Sequence, residues 1–204
     1  MKVKRAAFLA LAGMLMLSSA IANPKRIVNS TNGSREVLVG RSNMIAYLNK
    51  YNSAEADLFS KGDVLTDIFE EFIAQTDSGY AMQHLFVHSD GFGVLSILVI
   101  ADTQAKAIGY YDKLVRTNAQ YVPHYAGAVT TLKIDTSIQG WQPHSTNYQV
   151  MADGKPYGYM AIFRRGLNVG IITTGGGHAP TDSRQFLEVA RTSGDKMMSF
   201  SPKF

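Results

Sequence analysis

Ten consecutive residues, Phe92 to Ala101, are apolar or small whichever parity is followed. In an extended chain Phe92, Val94, Leu98 and Ile100 point one way, and Leu95, Ile97, Val99 and Ala101 the other. A half-solvated strand alternates with polar residues, so this run predicts a strand covered on both faces. Val and Ile enrichment favours strand over helix. The preceding AMQHLFVH reads as its hairpin partner, joined through the turn Ser89-Asp90-Gly91. Asp102 then reads as the N-cap of a helix with the stripe Ala105, Ile108, Tyr111, Leu114 and Val115. Hairpin followed by helix is an α+β unit.

The rest of the chain extends that unit. Ser42 is expected to cap a helix to about Tyr51, after a short strand from Glu36 to Val39. Asp63 is expected to cap an amphipathic helix. Val64, Leu65, Ile68, Phe69, Phe72 and Ile73 form its stripe, and Asp67, Glu70, Glu71 and Gln75 face away. Later come a strand over 128–135 and a meander of three strands, over 147–152, 157–164 and 168–174, turning at Asp153-Gly154 and Gly166. Asp182 with Gln185 makes a capping box for a last helix striped by Phe186, Leu187, Ala190 and Met197. Gly79-Tyr80 and Gly158-Tyr159 open the same strand, turn, strand, helix order. The expected fold is therefore α+β: an antiparallel sheet with helices packed on it, in two pseudo-repeated hairpin-plus-helix units whose helices share one face.

The N-terminus carries an address. Lys2, Lys4 and Arg5 precede the apolar run Ala6 to Leu17, and Ala20-Ile21-Ala22 is a small-x-small cleavage site. The run is shorter than the roughly 20 residues a bilayer demands. Residues 1–22 thus read as a signal peptide, 23–35 as a flexible leader with few packing residues, and 36–204 as a single α+β domain. The expected destination is secreted, in the periplasm, with cleavage after Ala22 and no integral membrane segment afterwards.

Cleavage alters the charge argument. The chain has 20 Lys and Arg against 16 Asp and Glu; losing three basic and no acidic residues leaves 17 against 16. A near-neutral domain lacks the basic footprint of nucleic-acid binding. Lys25-Arg26 and Arg164-Arg165 read as solvated surface. The absence of cysteine excludes disulfides, a thiol nucleophile and thiolate metal sites.

No constellation points to catalysis. His84 and His88 have the spacing of a helical metal site, but on a strand they lie about 13 Å apart, too far to chelate one ion. No cofactor or metal is expected. There is no Gly-x-Ser-x-Gly elbow, and Glu70-Glu71 sit on the outer side of the expected helix. Two places remain for recognition. Tyr121, His124 and Tyr125 fall in one loop, and Trp141, His144 and Tyr148 in or beside another; such side chains join a broad apolar face to a polar tip. The second is Gly175-Gly176-Gly177-His178, a strand-to-helix loop suited to an anion, although Asp182 would already occupy the helix N-terminus. The expectation is a secreted or periplasmic protein that binds a small molecule or an envelope protein. Alternatives are a hydrolase using His178 as base, and an envelope-assembly component docking through the 63–75 helix.

Overall fold

The computed structural model describes residues 24–27, 34–51, 57, 60–61, 64–74, 79–88, 92–118, 130–135, 144–176 and 183–201. Eight strands form one antiparallel sheet in the order β1-β2-β3-β4-β8-β7-β6-β5. They are β1 (Pro24–Ile27), β2 (Val64–Ala74), β3 (Tyr80–His88), β4 (Gly93–Ile100), β5 (Thr130–Ile134), β6 (His144–Ala152), β7 (Lys155–Arg165) and β8 (Asn168–Gly175). Helices α1 (Arg41–Tyr51), α2 (Gln104–Arg116) and α3 (Ser183–Ser199) pack on it. The α+β architecture is as expected. No helix among the described residues is long and apolar enough to cross a membrane.

β4 lies at the centre, paired with β3 on one side and β8 on the other. Its two parities feed two separate cores. Phe92, Val94, Leu98 and Ile100 join Met82, Phe86, Phe163 and Ile172 beneath α1 and α3. Ile97, Val99 and Ala101 join Ile162, Val169 and Ile171 beneath Ala107 and Leu114 of α2. The helices therefore cover opposite faces, not one, because a central strand apolar on both sides needs both roofed.

β2 is the main departure from the sequence reading. Residues 64–74 form a strand between β1 and β3, not a helix. The doublets Ile68-Phe69 and Phe72-Ile73 imitate a helical stripe. In a strand, side chains alternate between faces, so Phe69 packs in the α1–α3 core and Phe72 in the α2 core. Glu70 and Glu71 are likewise split between faces, and both are buried, not solvated. Each burial is compensated from β3: the Gln83 side-chain amide donates to Glu70 at 2.6 Å, and the Tyr80 hydroxyl donates to Glu71. A docking role for a free helix here has no basis.

Smaller corrections follow the same logic. Pro24–Ile27, inside the expected leader, pairs with Glu71–Ala74 as one of the two edge strands. Ser34–Val37 is a 3-10 turn where a strand beginning at Glu36 was expected. α1 opens at Arg41, so Ser42 lies inside its first turn and is not its cap. α2 is capped by Thr103, whose hydroxyl accepts from Lys106 N; Asp102 instead pairs with the Lys106 ammonium at 2.6 Å. On α2, Ala107 and Leu114 are buried and Tyr110, Tyr111 and Val115 half-buried against the sheet, while Ala105 and Ile108 are exposed. Arg164 is buried and donates to the Gly166 carbonyl at 3.4 Å, while Arg165 stays in solvent.

Candidate functional site

Where α1 begins, beside β2, β3 and the end of α3, an open polar cleft of about 380 Å³ remains. Arg35 and Glu36 reach it from the 3-10 turn, Ser42 and Asn43 from α1, Asp67 from β2, His84 from β3 and Lys196 from α3. Val39 N donates to Ser96 Oγ on β4 at 3.2 Å, which ties the segment before α1 to the middle of the sheet. Gly40 follows; its N–H donates to Asn43 Oδ1 at 2.9 Å and its carbonyl accepts the first helical bond, from Met44.

His84 forms the floor of the cleft. It is 3 % exposed and stands edge-on to the Phe69 ring, with centroids 6.2 Å apart. Its Nε2 lies 2.6 Å from Asp67 Oδ1, and the same oxygen receives Arg35 Nη2 at 2.5 Å. Nδ1 is buried with no partner among the described residues. The Nδ1–Cε1 edge faces Gly40: a Cβ built there would stand 2.7 Å from Cε1 and 3.1 Å from Nδ1. Glycine is needed at 40 because the ring occupies the place of a side chain.

Burial pushes the His84 pKa down, and this outweighs the opposing pull of the Asp67 carboxylate. The imidazole is therefore neutral at pH 7. With Nε2–H donating to Asp67, Nδ1 is left as an acceptor. Burial also acts on Asp67, upward, but the bonds and charges of His84 and Arg35 prevail and hold its carboxyl below the ordinary 3.8. Both shifts have one sign for stability. An unfolded His84 takes up its proton near 6.5 while the folded one resists, so stability falls as pH drops below 6.5. Asp67 contributes stability above 3.8 that is lost as pH falls through its lower folded value. Urea midpoints measured from pH 8 to pH 4 should decline through the upper window in the wild type. His84→Gln should flatten that limb; an unchanged slope would contradict the buried neutral imidazole.

The residues singled out from sequence are placed as follows. His144 is not in a loop: it opens β6, exposed, with its ring 6.4 Å from that of Tyr111 on α2. The Tyr111 hydroxyl and Thr146 Oγ1 share a hydrogen bond of 2.9 Å. Tyr148 is buried in the α2-side core, and its hydroxyl pKa is raised mainly by that burial. Tyr121, His124, Tyr125 and Trp141 lie outside the described residues, as do Gly177, His178 and the expected cap Asp182. Gly175 is a β8 residue paired with Gly93 and Gly158, and the Gly176 N–H donates to the Tyr157 carbonyl at 3.1 Å. His88 is buried on β3 alongside His84.

Sequence reasoning weighed His84 only as a metal ligand and overlooked Arg35, Asp67 and Lys196. Asp67 and His84 meet because β2 and β3 are paired strands, a long-range fact no local motif carries. No protein-family model, curated protein or solved structure matches this chain.

Proposed function

We propose that this chain is exported to the periplasm by its N-terminal signal and there binds a small polar molecule in the cleft between α1, β2, β3 and the end of α3. The observation that carries the reading is the His84 imidazole, 3 % exposed and held by Asp67, with a nitrogen left unpaired on the floor of a polar opening. An unsatisfied buried acceptor costs roughly 1–3 kcal/mol, a cost that a ligand donor or a proton would relieve. A rigid sheet holds Asp67 and His84, while the donors around them come from helix ends and a turn, a distribution suited to recognition.

A second site is proposed at the α2–β6 edge, on the Tyr111–Thr146 bond and the exposed His144 ring; in the sequence Tyr121, His124 and Tyr125 follow α2, and Trp141 precedes β6. One experiment separates the two. The mature protein, taken from its own envelope, is weighed by native mass spectrometry for a retained small mass. His84→Phe should remove that mass if the cleft holds it; Trp141→Ala or Tyr125→Ala should remove it if the edge does. Retention in all three folded variants, or no added mass together with no thermal shift across a polar small-molecule panel, would defeat the binding reading.

A further inference from the structure

The cleft's free groups are unequal in kind. Gly40 stands at the N-cap of α1 and has no side chain to satisfy the first-turn N–H groups, so that end of an eleven-residue helix keeps its positive character. The Asn43 amide turns its oxygen to Gly40 N, which leaves its NH2 as the available end. Ser42 adds a hydroxyl, and the Lys196 ammonium has no ion pair among the described residues. These are donors, gathered where α1 begins. The acceptors are differently placed: Asp67 Oδ1 already serves both Arg35 and His84, and Glu36 is exposed on the 3-10 turn. The Nδ1 edge of His84 lies against Gly40, at the same helix end.

Resting on the cleft reading above, we infer that the ligand is a small monocarboxylate, seated at the first turn of α1 between Lys196 and the Nδ1 edge of His84, and that the imidazole takes up one proton from solvent as it binds. Among the described residues, the charged groups lining the cleft with His84 are Arg35 and Glu36 from the turn, Asp67 from β2 and Lys196 from α3, of which Asp67 and Arg35 act on the imidazole directly. With His84 neutral these cancel, two against two. One proton on Nδ1 leaves a surplus of one, which a monoanion matches and a dianion exceeds. The proton satisfies the orphaned Nδ1 and puts a positive charge against Gly40 at the helix end, where the charge of the carboxylate offsets it.

The test uses the mature chain with 15N-labelled histidine, titrated by NMR with sodium acetate and sodium lactate. Inorganic phosphate is the second arm, and chloride matches ionic strength. The expected result is a His84 titration midpoint at least one unit higher at saturating carboxylate, with affinity rising up to about tenfold per pH unit lowered. Lys196→Gln should weaken binding about tenfold with spectral dispersion intact. His84→Gln should bind with no pH dependence. Phosphate binding more tightly than either carboxylate would overturn the ligand class. Glycerol or glucose shifting cleft resonances while His84 stays neutral would overturn the anion and its proton but leave the binding cleft standing. No cleft resonance moving with any probe would remove both.

Discussion

Gly158→Ala is expected to cost about 3 kcal/mol or more, the upper end of what overpacking does. A Cβ at this position would stand 1.9 Å from the Thr174 carbonyl oxygen, 2.7 Å from its carbon and 2.8 Å from Gly175 Cα. All three are backbone atoms of the neighbouring strand, so no rotamer change relieves the clash. The close approach arises at a bulge. The β6–β7 register shifts between Val150 and Met151, next to Gly158, which pairs with Val150 on one side and Gly175 on the other. Next along, the Tyr159 N–H donates to Thr174 Oγ1 at 3.4 Å, holding the two strands at that spacing. Since domains are stable by only about 5–15 kcal/mol, the variant should show a greatly lowered urea midpoint with an unchanged slope. Gly109→Ala is the control. Gly109 sits inside α2 with nothing within 4 Å of its Cβ position, so there alanine should stabilise by about 0.5–1 kcal/mol. Equal behaviour of the two variants would mean that β7 and β8 are not packed as described.

The same close approach bears on what the sequence could say about its glycines. Gly175 and Gly176 invite an anion-loop reading from composition alone, yet Gly175 is a paired strand residue opposite two other glycines. Turn chemistry was readable: Asp153 and Gly154 both adopt positive φ, 49° and 75°, and Gly166 does so at 59°. The two parities of β4 were readable too, because burial on both faces leaves no polar residue in either set, apart from small Ser96. β2 was not. Its apolar doublets fit either period, and the choice was made by β1 and β3, partners distant in sequence. That error also hid the cleft. On a helix Asp67 is one more solvated carboxylate; on a strand it lies directly beside His84. The candidate site is a product of pairing, so only the fold could reveal it.

Phe163→Ala should cost about 3–5 kcal/mol alone, and clearly less when combined with Gly170→Ala. Phe163 is fully buried under α3 and sits directly across from Gly170 in the β7–β8 register. The ring lies over the glycine: a Cβ at 170 would be 2.4 Å from Cε2 and 2.7 Å from Cζ, with Met197 Cε at 3.0 Å. Gly170→Ala by itself should therefore overpack by about 1–3 kcal/mol, as the ring cannot retreat without lifting Met197. Removing the ring opens the space that the new methyl occupies, and alanine also suits a strand better than glycine does. The two changes should be coupled favourably by about 1 kcal/mol or more, read from a double-mutant cycle of urea midpoints. Lys196 precedes Met197 on α3, so the same cycle extends to the cleft. Phe163→Ala should weaken carboxylate binding by loosening the helix that carries the ammonium, and the second substitution should restore part of it. Strictly additive stabilities would show that Gly170 is not the seat of the ring. An unaltered affinity in Phe163→Ala would show that α3 holds Lys196 independently of the core beneath it.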